Sequence, residues 1–584
     1  MFNFAVKFQA LNSMPKFVIY QVLPRLFGNY NTTRKHNGTL AENGSGKFNS
    51  FTTKALEEIK NFGATHVWYT GVLEQATKTN YTAHGILQDH PAVVKGNAGS
   101  PYAVRDYYDV SPDLAEDVSR RMEEFEALVE RTHAADLKAI IDFVPNHVAR
   151  QYASDNKPAT IKDLGETDDK TLVFSPRNNF YYLPNEPFNP QFYVEDYQEF
   201  PAKATGNDQF TASPTQFDWY ETVKLNYGVD YANGGEKRFV PTPDTWYKML
   251  DILTFWAKKK VDGFRVDMAE MVPVEFWGWV IPKIKKINPR VIFIAEVYNP
   301  AEYRNYLCNG KFDYLYDKVG MYDKLRGIIS RNEPARDITG IWQSLSGIED
   351  RMLNFLENHD EQRIASGFFC GNGEYAKPGM IVAATLTKSP VMIYFGQELG
   401  ELGMDMEGFS GVDGRTSIFD YWSVPSVCNW ANNGSFDGAP LTEEQKKLRG
   451  FYQRLLHVSM SEKAITEGVM YDLEYANIGN PDVFNSHEQF AYIRKHKNDI
   501  LLIVLNFHDQ PMEMKINIPA EAFTFLEWAE NNSYSAVNLL NDEEKFPVQR
   551  LASDNPYGVF VAPWDGKILK LKKEKTKFEV VVKK

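Results

Sequence analysis

Over the first two thirds of the chain, short apolar runs alternate with longer amphipathic stretches. Phe17–Leu23, His66–Thr70, Ala139–Phe143, Gly263–Asp267, Val291–Glu296, Tyr314–Tyr316, Met352–Phe355 and Val391–Phe395 read as short buried strands. Helical spacing separates several of them. In Arg121–His133, Met122, Phe125, Leu128 and Val129 share one face; after Pro273, Phe276, Trp277, Val280, Ile281, Ile284 and Ile287 repeat the pattern. About eight such units in series predict a closed parallel barrel of the α/β class, the (β/α)8 TIM barrel.

The rhythm breaks between Val148 and Pro243, where aromatics, prolines and asparagines crowd together, as in Phe180-Tyr181-Tyr182-Leu183-Pro184. So long and apolar a stretch predicts a small subdomain inserted after the third strand. Beyond Met460 strand-like runs take over, and Phe490–Arg494 and Ile500–Phe507 flank an Asn498-Asp499 turn, as a hairpin would. The expected organisation is a catalytic barrel over residues 1–147 and 244–460, an insert over 148–243, and a C-terminal antiparallel β-sandwich domain over 461–584. The lysine-rich tail from Lys567 to Lys584 suggests charged edge strands that resist sheet-to-sheet aggregation.

Composition narrows the function. At 584 residues the chain exceeds what one core supports, and 43% hydrophobic with 24% charged residues describes a well-packed globular protein. A formal net charge of -13 argues against a nucleic-acid or anionic-membrane partner and leaves a neutral ligand open. Three scattered cysteines, Cys308, Cys370 and Cys428, form neither a disulfide framework nor a zinc motif. Met1–Gln9 shows no basic segment followed by a long apolar run, so a cytoplasmic location is expected, unless a secretory leader has been removed.

Barrel enzymes carry their chemistry at the C-terminal ends of the strands. Here those ends hold Asp142 with Asn146-His147, Arg265 with Asp267, Glu296, and His359-Asp360. Singly, an Asp after a strand is commonly a helix cap and an Arg beside an Asp an ion pair. Together, so many ionisable groups on buried strands would be costly without a use. Residues two apart on a strand face the same side, so Arg265 and Asp267 share a pocket while Val266 packs behind. An arginine there keeps a nucleophilic Asp267 ionised, and the apolar run before Glu296 raises its pKa toward that of a proton donor. Two carboxylates so differentiated suit glycoside hydrolysis by double displacement.

The segments Asp142-Phe143-Val144-Pro145-Asn146-His147, Gly263-Phe264-Arg265-Val266-Asp267, Ile294-Ala295-Glu296-Val297 and Phe355-Leu356-Glu357-Asn358-His359-Asp360 resemble, in order, the four signature regions of the α-amylase family, glycoside hydrolase family 13. Ser100–Tyr108 and Ser389–Glu398 are similar to its approach to the third strand and its eighth strand, and Tyr220–Tyr231 to the end of its inserted domain. The resemblance spans Phe17 to Trp422. It implies Asp267 as nucleophile, Glu296 as general acid/base and Asp360 as stabiliser of the distorted sugar. It also implies His147, His359, Arg265 and Tyr102 as substrate-subsite residues, with Tyr102 stacked under the cleaved sugar, and Asp142 as a supporting carboxylate.

After the nucleophile the chain departs from the family pattern. Many members have two small residues and then Lys-His, whereas Asp267 here is followed by Met268-Ala269-Glu270-Met271. Glu270 and Met271 thus become the candidate contacts on the leaving-group side. The missing His is also where a backbone oxygen normally binds calcium, for which Asn146 is the matching side-chain ligand. The chemistry itself needs no cofactor. Asp413–Trp422, after the eighth strand, is expected at the cleft mouth, whereas Phe180, Tyr181, Tyr182, Trp219 and Tyr220 are expected mainly as core of the insert. The implied activity is hydrolysis of α-glucosidic bonds, mainly α-1,4, in maltodextrin or starch-like oligosaccharides with retention; the alternative is glucan transfer or isomerisation on the same scaffold.

Overall fold

A computed structural model describes residues 15–479 and 481–574; Met1–Gln9 and the end of the lysine-rich tail lie outside them. Eight parallel strands form the barrel: β1 (Val18–Val22), β2 (His66–Tyr69), β3 (Lys138–Phe143), β4 (Gly263–Val266), β5 (Ile292–Ala295), β6 (Tyr314–Tyr316), β7 (Met352–Leu353) and β8 (Val391–Tyr394). Their order is β7-β6-β5-β4-β3-β2-β1-β8. A parallel bridge between Asn354 and Val391 joins β7 to β8 and closes the ring.

Alternation divides each strand's side chains between two cores. Ile19, Trp68, Ile140, Ile294, Tyr314, Tyr316, Leu353 and Met392 fill the interior. Their neighbours Tyr20, Val67, Ile141, Phe264, Val266, Phe293, Leu315 and Ile393 pack outward against the helices. Val266 therefore stands behind Arg265 as the period-two reading requires. The outer ring includes α1 (Thr53–Phe62), α2 (Arg121–Ala134), α3 (Asp244–Lys258) and α4 (Val274–Ile287). In α1 the Thr52 side chain caps the N-terminus by accepting from the Ala55 N–H, Ala55, Leu56, Ile59 and Phe62 face the barrel, and Gly63 at φ 115° ends the helix. Pro273 stands one residue before α4, at its N-cap.

Between β3 and α3 the chain forms only short two-stranded ladders, including His147–Ala149 with Thr222–Lys224 and Tyr182–Leu183 with Ala202–Lys203. We assign this segment to the insert. C-terminal to the barrel lie β9 (Val469–Asp472), β10 (Gln489–His496), β11 (Asp499–Asn506), β12 (Met512–Ile516), β13 (Asn532–Asn538), β14 (Asn541–Leu551), β15 (Tyr557–Val561) and β16 (Asp565–Lys573). The expected hairpin is β10–β11. A six-stranded sheet, β9-β10-β11-β16-β13-β14, and the β12–β15 pair enclose a second core around Ile493, Leu502, Val504, Ile516 and Val559.

The expectation of a lysine-rich edge strand needs correction, because β16 runs between β11 and β13. Ile568, Leu569 and Leu571 are buried between its lysines; Lys567 pairs with Glu544 and Lys570 with Glu462 and Asp499, while Lys572 and Lys573 at the strand's end are exposed. The edge falls instead to β14, whose Asp542, Glu543, Glu544, Lys545 and Pro547 discourage further pairing. Cys308, Cys370 and Cys428 are free and half-buried. Among the described residues no helix is long and apolar enough to cross a membrane.

Candidate active site

The C-terminal ends of β3, β4 and β5 are neighbours in register. Arg265 stands beside Asp142 on one side and Ile294 on the other. The buried Arg265 guanidinium is the hub: Nη1 lies 2.8 Å from Asp267 Oδ1 and 3.7 Å from Asp142 Oδ1, and Nη2 lies 2.9 Å from Glu296 Oε2. Its Nε donates to the Tyr316 hydroxyl at 3.0 Å, and Trp68, Tyr102 and Tyr316 present ring faces to it. One fixed cation thus serves three buried carboxylates.

That sharing corrects two expectations. Arg265 does not simply hold Asp267 ionised. Burial pushes the Asp267 carboxyl well up, and its like-charged neighbours Glu296 and Asp360 add to this against the pull of Arg265. Nor does Glu296 sit in an apolar pocket: besides Arg265 it accepts the Met268 N–H at 2.8 Å and the Tyr298 hydroxyl at 2.5 Å. Burial, followed by Glu296, raises Asp360 to about 7. Asp142 rises to about 6 by burial, although Gly71 N–H, Trp68 Nε1–H and the Tyr102 hydroxyl donate to it. Burial thus pushes Asp267, Asp360 and Asp142 all upward, against the pull of Arg265.

Both histidines are held neutral by burial. His147 drops to about 3, with Lys224 as the next cause, and His359 falls well below its usual value, with Arg265 second. Gln21, at the end of β1, donates its Nε2–H to His359 Nδ1 at 2.8 Å. The ring proton therefore sits on Nε2, which faces the Tyr102 hydroxyl at 2.5 Å and Asp360 Oδ2 at 3.2 Å.

These side chains surround a cavity of about 430 Å³, lined among others by Tyr102, His147, Asp267, Glu296, Asp360, Trp219 and Tyr298. Ile418 and Phe419 close one wall, in keeping with the expected place of Asp413–Trp422. Trp219 parts from Phe180, Tyr181 and Tyr182, which are buried in the insert. Glu270 and Met271 do not line the cavity; Met268 does. Met268 adopts φ 41°, and the turn it starts folds residues 269–271 away. There Trp277 Nε1–H donates to Ala269 O, Tyr306 OH to Glu270 O, and the Glu270 carboxylate accepts the Asn299 N–H.

The residues around Asn146 do not fit a calcium ion, because an ammonium already sits there. Lys224 Nζ lies 2.5 Å from Asn146 Oδ1, 2.6 Å from Asp208 Oδ1 and 3.3 Å from Met271 O. It joins the end of β3, the insert and the turn after Asp267, as a bound cation would. Replacing Lys224 with Met is expected to cost roughly 2–3 kcal/mol, the low end for breaking a buried pair because Asp208 is 39% exposed. Denaturant midpoints check this, and an unchanged midpoint would remove Lys224 as a tether.

Gln21, Tyr298, Tyr316 and Lys224 escaped the sequence reading, and Trp219, expected mainly as core of the insert, lines the cavity instead. Only Tyr298, two residues after Glu296, carried a local signal: alternation from a strand end points it to the same side.

A family description, "Alpha amylase, catalytic domain", matches residues 21–420. The chain belongs to the α-amylase family. It is an α-amylase-family glycosidase, and it is 26% identical over 422 residues to alpha-amylase 3 of Dictyoglomus thermophilum, covering 68% of this chain and 73% of that one. It is 24% identical over 403 residues to a cyclomaltodextrin glucanotransferase of Geobacillus stearothermophilus, covering 65% and 49%. The fold matches the crystal structure of a maltogenic alpha-amylase from Thermotoga neapolitana with a TM-score of 0.61 at 20% identity, over 95% of this chain and 98% of the other. Family membership and the barrel agree with the four motifs read from the sequence.

Proposed function

We propose that this glycosidase hydrolyses α-glucosidic bonds, mainly α-1,4, in maltodextrins by double displacement with retention. The observation that carries the reading is the carboxylate set Asp267, Glu296 and Asp360 around one cavity, two of them bound to a single guanidinium. Asp267, on β4's end, attacks the anomeric carbon and becomes glycosylated. Glu296 protonates the departing oxygen, then takes a proton from the water that releases the sugar. Asp360 and the Nε2–H of His359 bind sugar hydroxyls, and the Tyr102 ring, stacked on His359 with centroids 5.2 Å apart, forms the floor. Trp219 and Tyr298 offer further apolar surface to a sugar ring.

Transfer to a sugar acceptor shares the first half of this path. Incubation with maltoheptaose separates the two by product length. Hydrolysis yields only shorter oligosaccharides; products longer than seven units would assign the chain to transfer instead.

A further inference from the structure

We propose that Glu74, Asp106 and Asp109 form a site for a hard divalent cation, separate from the sugar cavity. Leu73–Gln75 pairs antiparallel with Val104–Val110, and the register slips on both sides of Glu74, which stands opposite Asp106. One carboxylate oxygen from each of Glu74, Asp106 and Asp109 lies within 4.8 Å of the other two. The three are 1%, 0% and 2% exposed.

Two of these carboxylates have partners. Asp106 accepts from the N–H groups of Tyr108, Asp155 and Asn156 and from the Ser154 hydroxyl. Asp109 accepts from the Val110 N–H, the Arg121 guanidinium and the Asn156 amide. Glu74 is different: among the described residues neither of its oxygens has a hydrogen-bond partner, although it is the side chain that completes the cluster. The nearby Arg105 is engaged elsewhere, on Asp89 and the Ala153 carbonyl. Three buried carboxylates thus face one another with one guanidinium among them. Such a cluster binds positive charge, either as a proton or as a metal ion. The donors are oxygens alone, without imidazole or thiolate, which selects calcium or magnesium over zinc or copper.

The location gives such an ion a role. Asp106 and Asp109 receive the Ser154–Asn156 turn at the start of the insert, and Val104–Val110 follows directly on Tyr102. A cation here would fasten the insert to the segment that carries the floor of the sugar cavity. It would act on stability, not on the chemistry.

The test uses the full chain, stripped with a chelator and titrated with calcium chloride or magnesium chloride by calorimetry, with thermal unfolding in parallel. The expected result is one ion per chain and a Tm raised by roughly 3 °C or more at saturation. Glu74→Gln, which has the shape of the protonated acid, should unfold at or above the Tm of the metal-free wild type and lose at least tenfold in affinity. Should that variant not fold, Glu74→Asp, which keeps the charge but shortens its reach, must show the tenfold loss instead. No binding of either ion up to roughly 10 mM would overturn the proposal. So would a stoichiometric ion whose affinity is unchanged by the Glu74 substitution, since it would be bound elsewhere.

Discussion

Asp267→Asn is expected to lower kcat by about four orders of magnitude or more, on every substrate, while leaving the fold intact. The amide keeps the shape and the contact with Arg265 but cannot form the glycosyl ester. Stability should hold or rise, and the sign follows from the shift. A carboxyl whose folded pKa is raised contributes stability below its unfolded value and loses it as pH rises through the folded one. Asp267 is such a group, because burial and its neighbours Glu296 and Asp360 oppose its charge. Removing the charge therefore relieves the cluster at neutral and alkaline pH. Steady-state kinetics with thermal melts at two pH values check both halves. Near-normal turnover would end the assignment of Asp267, and a collapse of Tm would make the kinetic loss uninformative.

Glu296→Gln has the second largest expected effect, a loss of roughly 10²–10⁴-fold on maltooligosaccharides, and it should differ in kind. Glutamine can still accept the Met268 N–H and the Tyr298 hydroxyl that hold Glu296, but it cannot pass on a proton. A substrate whose leaving group needs no protonation, such as α-maltosyl fluoride, should recover most of the first step in this variant and none of it in Asp267→Asn. Equal losses on fluoride and oligosaccharide would contradict the role of Glu296 as leaving-group acid.

The barrel was legible because its strands are buried on both faces and therefore appear as short, near-continuous apolar runs. The candidate carboxylates Asp267 and Glu296 were legible for a related reason: each closes such a run, so strand, end and charge are local in sequence, whereas Asp360 follows its run by five residues. What was hidden depends on distant residues. Gln21 orients His359 across 338 positions, and Lys224 reaches Asn146 across 78, with no local pattern to announce either. Glu270 and Met271 were assigned to the leaving-group side on motif position alone; the left-handed turn at Met268, unusual for a long side chain, carries them off. The tail misled for a physical reason as well. Lysines usually mark an edge, but Lys567 and Lys570 of β16 are paired with Glu544, Glu462 and Asp499, and Lys572 and Lys573 extend to solvent at its end, so the strand can lie inside a sheet. Likewise, Arg265 beside Asp267 suggested a private ion pair, and only the fold brings in Glu296 and Asp142 to share it.

Double displacement on Asp267 is the core of this account, and the anomeric form of the first product tests it most directly. Proton NMR of a maltooligosaccharide digest, recorded before mutarotation, should show the newly released reducing end as the α-anomer, with β appearing only later. The β-anomer appearing first would mean a single inverting displacement, and Asp267 could not then be the nucleophile.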